Sequence, residues 1–431
     1  MTSTDPDQAP QESSGVRSKL PAGVLDASFA SLATFVSGLV AVNVFDAADL
    51  GIYAVFFSAF TFGQLVAYQL IYVPAEIVAV SRRGVLRLAI FDDSFRLGSL
   101  PSLAGASLAF LAALTTAPLA STQLTVALTT TAFAATLLSP SQDHVRRTLH
   151  IAEKSWQAAA MSLTQFLVTL AATGVMLLMD VYVGWIPFGA LTAANFLSLL
   201  LGMVLVAKDR HRAKSDTRLG FTELAAQGRW LLLQAALPAA AAFATANVII
   251  YLASEEALGY AEAARIVAQP IVVLAAGLIY PLRPRAMEAA LDRDLAGSIR
   301  VERIYITIVV LGGLAYIPLV GGAWFWNPMQ LLVPAAYEVP GLVTATILAN
   351  IVLASIFLLV NEMMAAGRGR TLAFINAIGG VVRIVAALSA AVIGAFARPV
   401  AEASGELAVV AGLLRSRRGI YGDSAGRDPE A

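Results

Sequence analysis

Long apolar runs follow one another along this chain with short polar gaps between them, as successive membrane crossings would require. Twelve runs approach the ~20 residues that a spanning helix needs: 24–45, 50–78, 99–117, 122–139, 157–179, 184–206, 230–252, 263–282, 304–324, 340–363, 371–396 and 399–414. The last is short and carries Glu402 and Glu406. The few polar residues inside the runs are ordered. On the second run Thr61, Gln64, Tyr68, Tyr72 and Glu76 step by three or four positions and share one helical face. On the eighth, Glu262, Arg265 and Gln269 do the same, and Tyr280 rejoins that face three turns later. Polar groups facing lipid are costly, so each stripe faces either its own bundle or a hydrated cavity. Pro74, Pro187, Pro238 and Pro270 lie in or beside runs and are expected to bend them.

Charge then orients the crossings. All but three of the 29 Lys and Arg residues lie in the termini or in every second gap, while the alternate gaps hold Asp46, Asp49, Asp180, Glu255, Glu256 and Glu338. Cytoplasmic loops retain Lys and Arg, so both termini are expected inside. The exceptions are Arg265, Arg383 and Arg398. Residues 1–20 read as a disordered cytoplasmic tail, 208–229 as a basic linker and 415–431 as a second tail. The longest basic gaps, near 80–98, 207–229 and 283–303, are suited to anionic headgroups.

Composition narrows the function. The chain is 58% hydrophobic and 13% charged, with a mean hydropathy of +0.74, far from a soluble domain. It has no cysteine, which excludes disulfides, thiolate metal sites and cysteine nucleophiles. His144, His150 and His211 fall in cytoplasmic gaps at unrelated spacings, so no metal and no cofactor are expected. No acidic gap is long enough for a catalytic domain, and nothing points to nucleic acid. The expected protein is not an enzyme.

The two halves echo each other. With a shift of 208 positions, Leu50-Gly51 falls on Leu258-Gly259, Ala67 on Ala275, and Leu70-Ile71-Tyr72 on Leu278-Ile279-Tyr280. Ala33 and Phe35 fall on Ala241 and Phe243 at the same shift. Six crossings per half is an even number, so both halves keep the same orientation. The expected architecture is all-α: twelve transmembrane helices in two six-helix lobes, 24–207 and 230–414. The lobes would be related by a pseudo-two-fold axis along the membrane normal, with a pathway between them.

These residues also carry a resemblance. Asp46-Ala-Ala-Asp49-Leu-Gly-Ile-Tyr53-Ala resembles the outer turn that opens helix 2 in polysaccharide and O-antigen flippases, members of the exporter superfamily that includes MATE drug transporters and lipid II flippases. Glu255-Glu-Ala-Leu-Gly259-Tyr260, with Arg265 and Gln269-Pro270, looks like the second-lobe copy. Ala365-Ala-Gly367-Arg368-Gly-Arg370 is similar to the family's basic turn entering helix 11. Lipid II flippases usually have two further helices and arginines embedded in the first lobe. This chain lacks both, which points away from lipid II as cargo. The resemblance implies transport of a polyprenyl-pyrophosphate-linked glycan, with membrane lipids and envelope-glycan biosynthesis proteins as partners.

Several residues are candidates for that site. Arg383 is placed about twelve residues into helix 11, roughly 18 Å deep at 1.5 Å per residue. It is either an anion clamp suited to pyrophosphate or an ion-pair partner of Glu406. Arg265 is either a cavity cation or a snorkelling residue paired with Glu262 or Glu255. Gln64, Tyr68, Tyr72, Gln269 and Tyr280 are the remaining substrate-contact candidates. Asp26, Glu76 and Glu406 are candidates for a coupling ion, with pairing of Asp26 and Glu76 to Arg82 or Arg83 as the alternative. Asn361 and Glu362 are expected to cap helix 10, and Asn43, Asn247 and Asn376 are possible sugar contacts. A flippase for a lipid-linked oligosaccharide or polysaccharide precursor is the leading reading. A MATE-like drug or metabolite antiporter comes next, and a major-facilitator transporter third, since its fixed Gly–Asp–Arg loop is missing. A membrane glycan polymerase or ligase would need a larger outer loop. Gly367-Arg-Gly lacks the spacing and ending of an ATP phosphate loop.

Overall fold

Apolar runs of this length form helices in a bilayer because each helix satisfies its own backbone hydrogen bonds. The computed structural model describes residues 14–80, 91–210, 219–320 and 328–421. In chain order the long helices are α1 Ser14–Val44, α2 Ala47–Val80, α3 in two segments (Phe91–Ala106 and Leu108–Thr116), α4 Thr122–Ile151, α5 Ser155–Leu178 and α6 Ile186–Arg210. Then come α7 Phe221–Leu252, α8 Glu255–Leu291, α9 Leu295–Val320, α10 Leu342–Ala365, α11 Gly369–Ala387 and α12 Ala397–Tyr421. Among the described residues, eleven helices are long and apolar enough to cross a membrane. The chain is a multi-pass membrane protein. Helix α12 has the length, 25 residues, but carries too much charge to be counted with them. Leu114, Leu178 and Val392 are more than two-thirds exposed, as lipid-facing side chains are.

Several boundaries differ from the sequence reading. Helix α1 begins at Ser14, inside the stretch read as a tail, and α12 continues to Tyr421, inside the second tail. Residues 1–13 and 422–431 lie outside the described residues, as do Arg82, Arg83 and 211–218 of the linker. Helix α7 already starts at Phe221. The gap read at 283–303 is no loop: α8 runs to Leu291 and α9 starts at Leu295. Helix α4 extends to Ile151, so His144 and His150 are helical. The run 371–396 breaks in two, because α11 ends at Ala387 and Gly394 takes a φ of 54°. Charged ends and glycine turns are invisible to a hydropathy window, which sees only the apolar middle of a helix.

Three of the helices that start at the acidic-loop end have side-chain caps. Asp46 accepts from the Asp49 N–H at 2.8 Å, Ser121 from Leu124 at 3.2 Å and Ser254 from Ala257 at 3.2 Å. The packing of the first six helices recurs in the second six. Helix α1 packs on α5, α5 on α6, α4 on α6 and α2 on both α3 and α4; likewise α7 on α11, α11 on α12, α10 on α12 and α8 on both α9 and α10.

Contact between the two sets is concentrated on α2, which packs against α8 and α7. At the acidic end α2 and α8 cross through two glycines. A Cβ on Gly51 would collide with the Glu255 carbonyl oxygen, and one on Gly259 with that of Ala47. The largest apolar cluster lies there and draws on both sets: Tyr53, Phe56 and Phe188 from one, Ile249, Leu258 and Ile266 from the other. The loop before α10 reinforces the seal. Tyr337 donates to the Phe45 carbonyl at 2.7 Å, and Asn43 donates to that of Leu332 at 2.8 Å. Burial and nearby Asp46 hold the Tyr337 phenol above its ordinary range, so it stays a donor. Toward the basic end the core divides into smaller clusters: some lie within one set, such as Leu359–Leu372–Leu413 and Val145–Leu149–Met161, and one packs Ala67, Ile71 and Tyr72 of α2 on Leu224 of α7.

Helix α2 changes pitch near that end. Pro74 has no N–H to offer the Leu70 carbonyl, and residues Tyr68–Tyr72 form a π turn in which Val73 donates to Tyr68 instead. The released carbonyls of Gln69 and Leu70 face α7 at Gly228, where a Cβ would collide with Leu70 O.

The glycine crossing gives a direct expectation. Gly51→Val should force α2 and α8 apart and cost about 1–3 kcal/mol, the usual penalty of overpacking. In this cysteine-free chain, Ala263→Cys, buried in the joint core, should resist maleimide in the Gly51 background and react with it in Gly51→Val. Equal reactivity in both would show that the crossing does not seal this end.

Candidate functional site

One polar cavity lies where the two sets of helices face each other. It has a volume of about 420 Å³ and is walled by α1, α2, α4, α5, α6 and α8. Gln64 and Thr61 of α2 look across it toward Gln269 of α8, with Val272, Val273 and Ala276 below on α8. Three residues of the two stripes read from the sequence, Thr61, Gln64 and Gln269, thus meet in one space, on the faces that α2 and α8 leave uncovered beyond their crossing. Gln64 Oε1 accepts from Ser139 Oγ at 3.2 Å, Gln142 donates to Ser198 at 3.1 Å, and Gln165 donates to Asn195 at 2.7 Å. Asn195 Nδ2 is buried without a hydrogen-bond partner. Asp143 and Arg146 in the wall are paired at 2.6 Å. The surface therefore offers amides and hydroxyls, with its charges neutralised.

The three arginines that break the charge rule belong to one ion chain. Arg265 holds Glu262 with two bonds, Nη2–Oε1 at 2.6 Å and Nε–Oε2 at 2.9 Å. Arg398 reaches the same carboxylate at 2.6 Å and Glu402 at 3.4 Å, and Arg383 reaches Glu402 at 2.9 Å. Glu262 is fully buried, and its two partners make that tolerable. The Arg265 guanidinium also lies over the Phe57 ring, 4.5 Å from its centroid, and Phe57 lines the polar cavity. Arg265 is therefore committed behind the wall.

Arg383 differs from the sequence reading in two ways. Its ion-pair partner is Glu402, where the pairing alternative had named Glu406, and it lies one turn before α11 ends, well away from mid-helix. Both differences follow from the break after Ala387, which shortens α11 and moves α12 relative to it. Arg383 and Glu406 do line a common second cavity of about 420 Å³, mostly apolar, among α7, α8, α10, α11 and α12. Arg383 Nε is buried there without a partner.

The other candidates are placed elsewhere. Tyr72 is fully buried, its hydroxyl 3.1 Å from Ser141 Oγ and its ring on His144. Tyr68 stands beneath Arg147, 4.7 Å from the guanidinium carbon. Neither tyrosine lines the polar cavity; both belong to the π turn, beyond Thr61 and Gln64. The Tyr280 side chain lies outside the described residues. Asp26 is saturated by Arg146 at 3.0 Å, His150 at 2.9 Å and Ser162 at 2.5 Å, and Glu76 lies 3.4 Å from His144. Glu362 is no cap: it accepts from Ser298 and Arg417. Asn361 donates to Phe357 and Asn376 to Gln234, both at 2.7 Å, in the second cavity wall. Asn43 serves the acidic-end seal, and Asn247 donates to Phe243 at 2.8 Å.

Sequence reasoning missed Ser139, Gln142, Gln165 and Asn195, and the role of Glu402. Gln165 and Asn195 each stand alone amid an apolar run, a signal without the periodicity that marks a stripe. Among the described residues, no group of three His, Asp or Glu is placed to hold a metal ion.

No family model and no curated protein matches this chain. Solved structures do. A multidrug resistance MATE family transporter of the MOP superfamily, in its inward-facing conformation, superposes with a TM-score of 0.67 at 12% identity, covering 94% of this chain and 100% of that one. The outward-facing conformation of a MATE family transporter gives 0.63 at 12% identity, covering 95% and 97%. The lipid II flippase MurJ, inward closed, gives 0.63 at 14% identity, covering 93% and 90%. The fold of this chain is that of the MATE and MurJ transporters of the MOP superfamily.

Proposed function

We propose that the chain is an alternating-access transporter that moves a lipid-linked oligosaccharide or polysaccharide precursor across the cytoplasmic membrane. The observation that carries this reading is the polar cavity shared by α2 and α8. Its amides and hydroxyls suit the many hydroxyl groups of a glycan, and the apolar strip of Val272, Val273 and Ala276 suits the root of a lipid tail. The likeness to a lipid II flippase and to MATE transporters in two conformations supports the same class of motion. With the basic end taken as cytoplasmic, this conformation is closed outward, and each six-helix set acts as a lobe.

Within this reading Thr61, Gln64 and Gln269 contact the head group, and Arg383, in the wall of the second cavity, is an anion contact. The second cavity favours an alternative. Its apolar walls with one carboxylate, Glu406, suit a drug-like cation carried by an antiporter.

Depletion in the native host distinguishes the two. Lipid-linked sugar should accumulate on the cytoplasmic leaflet, and undisturbed glycan export would sink the flippase reading. The combined change Gln64→Ala and Gln269→Ala should lower export about tenfold or more, each lost hydrogen bond being worth about 1 kcal/mol. Arg383→Ala should do likewise, with no rescue by lysine, whose single ammonium cannot hold Glu402 and reach an anion together. Export at the native level in that variant would remove Arg383 from the site. Glu262→Gln tests the ion chain. It leaves Arg265 and Arg398 buried without their shared carboxylate, so unfolding in detergent should fall by roughly 3–5 kcal/mol. An unchanged melting temperature would show that the chain does not hold α8 to α12.

A further inference from the structure

A second cluster of ionisable groups lies apart from both cavities, at the π turn of α2. His144 of α4 is sandwiched between two aromatic rings: Tyr72 at 4.3 Å and 8° on one side, Phe91 at 5.8 Å and 9° on the other. Its Nε2 lies 2.8 Å from Ser94 Oγ and its Nδ1 lies 3.4 Å from Glu76 Oε1. Acid, imidazole and hydroxyl in series resemble a nucleophile's relay. But Ser94 is fully buried, and the space beside it is only about 10 Å³, enough for one water. No substrate reaches this serine.

Two arrangements of hydrogen satisfy these contacts. In one, Ser94 donates to the Phe91 carbonyl at 3.0 Å and accepts from Nε2–H, while Nδ1–H donates to Glu76, so the ring carries a proton on each nitrogen. In the other, Ser94 donates to Nε2 and Nδ1–H still donates to Glu76. The two differ by one proton, and the first holds one more than a neutral imidazole beside a carboxylate. Aromatic faces above and below the ring favour placing that charge on the imidazole. Release passes the Nε2 proton to a water in the small space beside the cluster; Ser94 O–H then turns from the Phe91 carbonyl to the freed Nε2, and Nδ1–H stays on Glu76.

Among the described residues, other groups face the cluster from five helices. On α2 they are Glu76 and Tyr72. On α4, Arg147 and Asp143 adjoin Glu76 through Tyr68. From α3 come Ser94 and Phe91, from α5 the apolar Ala158 and Met161, and from α7 the apolar Leu224.

The position gives the proton leverage. Tyr72 closes the π turn, and the carbonyls released by that turn meet Gly228 of α7. Gly98 of α3 leaves the room that the Tyr72 ring occupies. The His144 face is thus one wall of the pocket that fixes the turn, and the turn is where α2 touches the second set of helices near the basic end.

We propose that Glu76 and His144 form a proton-binding site in the hinge of α2, and that its occupancy biases the contact between α2 and α7. The second half of this proposal rests on the alternating-access reading; the site itself does not.

Two measurements test it, neither of which uses cargo. Nitrogen-15 spectra of histidine-labelled protein in lipid nanodiscs are compared with His144→Gln to isolate the one ring, at about pH 6 and about pH 8.5, either side of the range where imidazole changes charge. Both nitrogens should be protonated at the lower pH, and only Nδ1 at the higher. A ring that is neutral at the lower pH, or that keeps hydrogen on Nε2 alone at the higher, overturns the site. In Glu76→Gln the doubly protonated form should be lost at the lower pH. For the coupling, the absence of cysteine allows one spin label on Gln123→Cys and one on Glu256→Cys, exposed at the acidic ends of α4 and α8. Their distance distribution should shift between the two pH values and stop shifting in His144→Gln. A shift that survives that substitution overturns the coupling and leaves the site intact. Should export of a glycan fail while both results hold, only the cargo reading falls.

Discussion

The structure depends on how closely α2 and α8 approach at one end. The carbonyl oxygens of Glu255 and Ala47 occupy the places that side chains on Gly51 and Gly259 would need. That backbone contact brings the aromatic residues of α2 and α6 into one core with Ile249 and Leu258. The same crossing leaves the two helices uncovered further along, where Gln64 and Gln269 face a shared cavity. In a bilayer there is no general hydrophobic drive between helices, so small residues and close backbone packing decide where they join. The seal and the cavity are two consequences of one geometry.

Charge within the membrane follows an equally strict rule. A buried guanidinium needs a carboxylate, and a buried carboxylate needs more than one partner to offset its desolvation. Glu262 has two arginines and Glu402 has two, giving a chain that ties α8, α11 and α12 together. At the basic end, Asp26 joins α1 to α4 and α5, and Arg417 joins α12 to α9 and α10. These networks lie within one set of helices or the other. The polar cavity lies between the sets and carries amides, so its wall can be rearranged without stranding a charge.

Helix α2 carries a π turn at the basic end. Pro74 deprives one carbonyl of its donor, the π turn absorbs the extra residue, and Gly228 admits the released oxygens. The same turn stacks Tyr72 on His144. A helix that touches both partner helices of the other set, and that bends where a protonatable ring supports it, is placed to transmit a local change to the whole assembly.

Much of this was legible from residue order. Hydropathy marked the eleven helices long and apolar enough to cross, charge asymmetry separated the two ends, and the 208-residue shift paired Gly51 with Gly259 before their contact was known. The stripes on α2 and α8 named three residues of the cavity because a helix repeats its faces at fixed spacing. Periodicity describes one helix at a time, however. It could not reveal that α11 stops at Ala387, that Arg383 thereby turns to Glu402, or that Arg265 is bound behind Phe57. Nor could it unite Gln142, Gln165 and Asn195, which are single residues on three helices. Sequence determined which faces are polar and which end bears which charge, since those are properties of local order. Tertiary packing alone decided which polar faces meet, because partners across a membrane bundle are set by where backbones can touch.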